Sequence, residues 1–384
     1  MNFELPEELR ELQRAVREFA EKEIRPYGKE YDEKGEFPVE IYRKAAKLGY
    51  IGAGVPEEYG GAGMKPPHLA QTVVSIEFAR ADSSIGTAID LAFLGVPMIL
   101  DFGSEELKKK YIPPVVEGKA PSGIAVTEPN CGTDVAAMET RAVREGDYWI
   151  LNGTKSFITN GSISGHVIVL AKTAIVDPPH KGISAFVVEP SWEGYEARRI
   201  KKMGLNCHDT CDLYFNNLKV PAENLVGREN GGFYQLMHFF NKSRVQIAAL
   251  HLGIGIGAYE MALNYARQRK TFGKRLIEHQ AIAFKLAEMF TELEAAKNLV
   301  FKAAWLLDRG NPNPAICSAA KLFATEVAYK VCHEALQIFG GYGYSKDYDI
   351  ERYFRDARVG IIYEGTSEAQ KIVISRRLLE TPII

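Results

Sequence analysis

The sequence predicts an α+β fold in three parts: an N-terminal α-helical domain over 1–118, a middle antiparallel β-domain over 119–228 and a C-terminal four-helix-bundle domain over 229–384. The first observation behind this is the hydrophobic period. It is helical up to about residue 115, turns into short β-rich runs over 124–220, and becomes helical again after Gly231-Gly232. The second is size, since 384 residues exceed what one core usually serves, while 46% hydrophobic and 25% charged residues is ordinary globular composition. The third is turn chemistry: Glu145-Gly146-Asp147, Asn152-Gly153 and Asn160-Gly161 punctuate the middle third as hairpin signals do.

Taken in order, Leu9, Leu12, Val16 and Phe19 mark one face of a first helix that Pro6 opens. Helical spacing recurs over 39–48, 68–79, 85–100 and 105–116, broken by turns such as Pro56-Glu57-Glu58-Tyr59-Gly60-Gly61. In the middle third, 148–151, 167–170, 185–188 and 213–215 read as strands. Long helices follow over 233–270, 280–308, 314–339 and 367–379, the pattern of a bundle. Gly253-Ile254-Gly255-Ile256-Gly257 falls inside the first of them, where small residues favour close helix packing; a dinucleotide fingerprint would instead follow a strand.

Composition narrows the function. Net charge is −2 and no Lys/Arg run is long enough to track a phosphate backbone, so no nucleic-acid partner is expected. The first residues carry Glu4, Glu7 and Glu8 where a signal peptide carries base, and no stretch reads as long enough to cross a bilayer, so a cytoplasmic protein without membrane insertion is expected. Five cysteines, an odd number, suit a reducing compartment. Cys207-His208-Asp209-Thr210-Cys211 has metal-ligand residue types but no second pair, so no metal is expected. Walker, Gly-x-Ser-x-Gly and His-Glu-x-x-His motifs are absent.

The stretch to explain is Ile361-Ile362-Tyr363-Glu364-Gly365-Thr366-Ser367-Glu368-Ala369-Gln370. Ser367 with Gln370 has capping-box spacing, which places Glu364 just outside a helix N-terminus. Gly365 lets the backbone approach a ligand, and the neighbouring isoleucines offer surroundings in which a desolvated carboxylate becomes more basic, while the helix dipole acts the other way. A solvated loop glutamate fits the same residues.

Other polar clusters stand at element ends: Ala125-Val126-Thr127-Glu128-Pro129-Asn130-Cys131-Gly132-Thr133-Asp134, Ser156-Phe157-Ile158-Thr159-Asn160-Gly161, Arg269-Lys270-Thr271-Phe272-Gly273, His279-Gln280 and Gln337-Ile338-Phe339-Gly340-Gly341. In this order, with Tyr363-Glu364-Gly365-Thr366 as the most specific match, they resemble the acyl-CoA dehydrogenase family of short/medium-chain type over essentially the whole chain.

That resemblance implies FAD bound without a Rossmann fold and an acyl-CoA substrate, with Glu364 removing the α-proton and flavin N5 taking the β-hydride to give a trans-2-enoyl-CoA. It implies that Val126 and Thr127 meet the pyrimidine side of the flavin, that Phe157, Ile158 and Thr159 cover the ring, and that Arg269, Thr271, Phe272, Gln280, Gln337, Gly340 and Gly341 hold adenine and pyrophosphate, partly in a neighbouring subunit. Thr366 and Glu368 continue the cofactor contacts. The family usually has Trp at Phe157, so the aromatic face stays but the indole N–H is lost. On the substrate side it implies Thr133, in place of a commoner Ser, with Ser243, Arg244, Gly365 and Arg376, although both arginines fit solvated or ion-paired surface roles too. Some members carry the base where this chain has Ser243, which cannot serve as one. A homotetramer and an electron-transferring flavoprotein as electron acceptor are further implications. Rivals of the same fold are an acyl-CoA oxidase, nitroalkane-oxidising, desulfinating or DNA-repair-associated relatives, and a non-enzymatic acyl-CoA-binding protein.

Asp90 is the unusual residue. It lies in the otherwise apolar Ile85–Leu94 run, whose counterpart lines the acyl pocket in similar enzymes, and a carboxylate there is costly unless paired. Either it hydrogen-bonds a neighbouring element or it limits pocket depth, since a long alkyl tail would bury an uncompensated charge; the latter points to a short to medium, branched or ring-bearing acyl group.

Overall fold

The computed structural model of the chain describes residues 4–380. Its N-terminal part comprises α1 (Glu7–Glu23), α2 (Gly28–Lys34), α3 (Val39–Lys47), α4 (Pro67–Ala81), α5 (Ser83–Asp90), α6 (Val96–Phe102), α7 (Glu105–Tyr111) and α8 (Pro113–Val116). The run 85–100, read from its period as one helix, is two. Asp82 caps α5 by accepting from Ser84 N and Ile85 N, a 3-10 turn spans Leu91–Phe93, and α6 resumes with Pro97 in its first turn, where the missing N–H costs nothing. The run 105–116 breaks likewise ahead of Pro113-Pro114. At seven residues, α2 is too short for its period to stand out.

The middle part is a sheet of β1 (Ser122–Ala125), β2 (Arg141–Glu145), β3 (Tyr148–Thr159), β4 (His166–Lys172), β5 (Ile183–Val188), β6 (Tyr195–Arg199) and β7 (Thr210–Pro221), ordered β1-β4-β2-β3-β7-β6 with β5 on β4. The sheet is mostly antiparallel, as expected, with one parallel pair. β1 runs parallel to β4, with Ser122 opposite His166 and Ala125 opposite Val169. The long intervening stretch, which contains β2 and β3, provides the crossover that a parallel pair needs. The other pairings are antiparallel, except a single β2–β4 step at Arg141 and Lys172. Trp149, Leu151, Phe186, Leu213 and Leu218 form the core of this layer.

The C-terminal part holds α9 (Gly232–Gln268), a small hairpin of β8 (Lys270–Thr271) and β9 (Lys274–Arg275), α10 (Gln280–Asp308), α11 (Pro314–Phe339), α12 (Ile350–Ala357) and α13 (Ser367–Glu380). α11 packs against α9, α10 and α13, and α9 also packs on α4. The glycines of α9 are there for close approach. A Cβ on Gly253 would lie 2.4 Å from Ile76 O, and one on Gly257 would lie 2.4 Å from Arg80 O, so α4 sits against bare backbone.

Two segments, Ser83–Phe102 and Gly232–Gln268, are long and apolar enough to cross a membrane, contrary to the reading that no stretch is. They are 78% and 72% buried within the fold, as helices at the centre of a layered core are, and such helices are apolar nearly all round.

Candidate active site

Glu364 follows the 3-10 turn Arg358–Ile361 and has a φ of +51°; Gly365 follows at +87°. Two successive left-handed residues turn the chain sharply into α13, and for Glu364 this conformation is costly unless neighbours enforce it. They do. Gln370 Nε2 donates to Glu364 O at 3.1 Å and to Gly365 O at 2.9 Å, and Lys321 Nζ donates to Gly360 O and Gly365 O at 2.7 Å each. A Cβ on Gly365 would stand 2.6 Å from Gln370 Nε2, so glycine is required there twice over. The expected cap shifts by one residue: Thr366 Oγ1 accepts from Ala369 N, whereas the Ser367 hydroxyl is buried without a partner. Gln370 reaches back to carbonyls and not to the N–H of a capping box.

The carboxylate is held by Ser243 of α9, whose Oγ donates to Glu364 Oε2 at 2.7 Å. Burial raises the carboxyl's pKa above the usual range, and the Ser243 hydrogen bond and the charges of Lys321 and Arg244 pull it back only in part. Desolvation thus outweighs the one hydrogen bond and the two neighbouring charges. Arg244 is no solvated surface residue. Its guanidinium lies 5.6 Å from the Phe240 ring, its Nε has no partner, and burial lowers its pKa. Next to Glu364, the Tyr363 hydroxyl and His251 Nε2 are 3.0 Å apart, and burial pushes the His251 imidazole down to about 3, so the ring is neutral.

Asp90 closes α5 and meets α9 one turn beyond Ser243. Gln246, three residues after Ser243, donates to Asp90 Oδ2 at 2.8 Å; Gln71 of α4 donates to Oδ1 at 2.8 Å, and Ser75 lies 3.0 and 3.1 Å from the two oxygens. The carboxylate therefore hydrogen-bonds neighbouring elements, the first of the two alternatives the sequence left open, through three neutral donors. Burial still pushes the carboxyl up to about 6. Sequence reasoning missed Gln71, Ser75, Gln246, Lys321 and His251, because they come from three helices distant along the chain.

The remaining predicted residues fall into two groups. In the β-domain, Ser156 N donates to Thr127 O at 2.8 Å, which brings Val126 and Thr127 beside Phe157 and Thr159. The β3–β7 register slips between Lys155 and Ile158, and at this bulge Phe157 takes a φ of +60° and leaves its ring 67% exposed. Ile158 is a correction: its side chain is buried in the β-domain core, because strand alternation turns it away from Phe157 and Thr159, and only its backbone is available to a ligand. In the second group, the Arg269 guanidinium lies 5.6 Å from the Tyr342 ring, which joins the hairpin carrying Thr271 and the 97% exposed Phe272 to the turn after Gln337 that contains Gly340 and Gly341. Gln280 opens α10 at the same hairpin, and Thr271 hydrogen-bonds His279. Thr133 is exposed in the loop after β1, Thr366 and Glu368 sit at the start of α13, and Arg376 is exposed on α13 with no hydrogen bond or ion pair to Glu364. Within the Cys207–Cys211 run, Cys207 Sγ lies 3.0 Å from Ser84 Oγ, and Asp209 accepts from Ser162.

Comparison with known proteins matches three family descriptions: acyl-CoA dehydrogenase N-terminal domain over residues 6–119, middle domain over 123–218 and C-terminal domain over 230–379. The 3-(aryl)acrylate reductase of Clostridium sporogenes is 43% identical, over 96% of this chain and 98% of its own. The short-chain specific acyl-CoA dehydrogenase of Clostridium acetobutylicum is 40% identical, over 98% and 100%. The caffeyl-CoA reductase-Etf complex subunit CarC of Acetobacterium woodii is 41% identical, over 96% and 97%. Among solved structures, butyryl-CoA dehydrogenase from Megasphaera elsdenii superposes with a TM-score of 0.95 at 38% identity, covering 99% of this chain and 100% of that one. A glutaryl-CoA dehydrogenase from Mycobacterium smegmatis in complex with FADH2 gives 0.92 at 28%, covering 98% and 96%. With its three parts matched in order and near-full-length relatives around 40% identical, the chain belongs to the acyl-CoA dehydrogenase family of oxidoreductases.

Proposed function

We propose that the chain removes the α-proton and the β-hydride of an acyl-CoA thioester to give a trans-2-enoyl-CoA, with Glu364 as the base. The observation that carries this reading is the Glu364 carboxylate itself: desolvated, oriented by Ser243 and fixed in a loop anchored at Gly360, Glu364 and Gly365. An α-proton beside a thioester is weakly acidic, and a positioned carboxylate whose proton affinity is raised by burial is suited to take it. Ser243 orients the carboxylate through one oxygen, and the backbone N–H of Glu364 is the donor we assign to the developing enolate oxygen.

The residues fit FAD. Phe157 and Phe272 present exposed rings from left-handed backbone, and the space around Gly340 and Gly341 is open, as a flat aromatic ring system and a pyrophosphate require. In this reading Val126, Thr127, Phe157 and Thr159 hold the ring, and Arg269, Thr271, Phe272, Gln280, Gln337, Gly340, Gly341, Thr366 and Glu368 hold the rest. When bound, FAD supplies the acceptor for the hydride. The family membership and the M. smegmatis relative with FADH2 support the choice.

For the substrate we propose a short to medium, branched or ring-bearing acyl group, with Thr133, Arg244, Gly365 and Arg376 towards the CoA side. The polar cluster around Asp90, which meets α9 one turn beyond Ser243, supports a short pocket with a polar end. The same apparatus run backwards reduces an enoyl thioester, and the reductases named for aryl acrylates and caffeyl-CoA favour this second direction and a ring-bearing group. The Etf complex in the latter's name supports an electron-transferring flavoprotein as partner. Exposed aromatic residues on α10 support a homotetramer, and five buried unpaired cysteines support a cytoplasmic setting. The test is the flavin spectrum of purified protein before and after anaerobic addition of a panel of acyl-CoAs. Bleaching by a short, branched or cyclic acyl-CoA is expected; binding without bleaching across the whole panel overturns the dehydrogenase reading.

A further inference from the structure

Lys321 is a buried ammonium on α11 with no carboxylate in contact among the described residues, and no step of the proposed reaction uses it. A buried charge is expensive unless something compensates it, and two carbonyl oxygens alone do not. Nor is an ammonium needed at Gly365 O, which already accepts from the neutral amide of Gln370 at 2.9 Å, and a neutral donor would serve Gly360 O equally. What a cation adds is charge, and Glu364, between the two carbonyls it holds, is a carboxylate whose field reaches it.

We propose that Lys321 is the positioning residue of the base: from α11 it ties Gly360 O and Gly365 O on either side of Glu364, enforces the left-handed turn, and supplies the positive charge that favours the ionised carboxylate. The inference rests on Glu364 acting as base. The turn has two consecutive residues with positive φ and relaxes unless over-determined. Gln370 enforces it from α13 and Lys321 from α11. The other charged and titratable groups facing this pair are few: Arg244 and neutral His251 on α9, Glu326 on α11, Glu368 on α13 and the Tyr363 hydroxyl. Arg244 adds positive charge to both Lys321 and Glu364, while Glu326 and Glu368 act on Lys321 alone. Burial lowers the ammonium's pKa to about 8, so it remains charged at neutral pH and loses its proton in mildly alkaline solution.

The test is an infrared titration of the Glu364 carboxyl in the holoenzyme, with the band assigned by its loss in Glu364→Gln. Lys321→Met is expected to move the Glu364 midpoint to higher pH by about one unit, tenfold in proton affinity, and to lower the rate of flavin reduction more than acyl-CoA affinity. Lys321→Arg, which keeps the charge, is expected to restore the midpoint. If Lys321→Met does not fold, Lys321→Gln, which keeps a donor without charge, is expected to give the same shift. An unmoved Glu364 midpoint in whichever neutral variant folds overturns the proposal. Because the titration reads Glu364 and not turnover, it stands apart from the base assignment, which fails separately if Glu364→Gln still reduces the flavin.

Discussion

Asp90 and Glu364 are two desolvated carboxylates whose donors on α9, Gln246 and Ser243, are one helical turn apart, and their partners separate them. Glu364 has a single direct side-chain donor, so one oxygen stays free of side-chain donors; Asp90 has donors on both oxygens, which suits the pocket-wall role proposed for it. Asp90→Ala should therefore extend the usable acyl chain while leaving FAD content and C4 activity largely intact, as a C4 to C16 panel would read; unchanged preference, or a wild-type preference for C14 or C16, removes Asp90 from the site. Its ionisation makes a second prediction. The folded value of about 6 exceeds the ordinary 3.8, so the folded state binds a proton more tightly, and this contribution is full below about pH 4 and lost as pH rises through about 6. Asp90→Asn should flatten that slope, gaining up to about 3 kcal/mol on wild type between pH 4 and 7 in urea titrations. At this scale little was legible. Glu364 stood out through its loop, but Ser243 lies 121 positions upstream of it, and only the packing of α9 on the C-terminal turn brings the two together.

At the scale of elements, the long helices were legible because a period of 3.6 repeated over seven or more turns is hard to mistake, as α10 and α11 illustrate. The bulge in β3 was not, because a bulge exists only relative to a partner strand, here β7. The same holds for the parallel pairing of β1 with β4. The bulge is braced from below by Lys155, which donates to Val126 O at 3.1 Å and to Glu128 Oε1 at 2.8 Å in a fully buried pair. Glu128 in turn accepts from Thr140 N at 3.0 Å. Lys155→Met would leave that carboxylate buried without its cation and should cost about 3–5 kcal/mol, with FAD lost first, since Val126 and Thr127 shift. Lys155→Met with Glu128→Gln should recover part of the loss; equal melting temperatures for wild type and the single variant would remove the pair from this role.

Across the whole molecule, three layers were legible from where the period changes, whereas the exposed aromatic surface on α10 was not, since exposure is a property of the folded chain. Phe272, Phe284, Phe290 and Trp305 are each half or more exposed on the hairpin and α10, an apolar surface that a lone subunit leaves in water. Phe284→Asp with Phe290→Asp should dissociate the protein and release FAD together, because a ligand bound across an interface stabilises the assembled state. A monomer that keeps its FAD in light scattering would contradict this. The central claim is that Glu364 is the base, and anaerobic stopped-flow mixing of Glu364→Gln with an acyl-CoA that bleaches the wild type tests it most directly. The variant should retain FAD and bind the thioester while flavin reduction slows by about 10²–10⁴-fold or more, because the amide cannot accept the α-proton. Reduction at a rate near that of the wild type would contradict it.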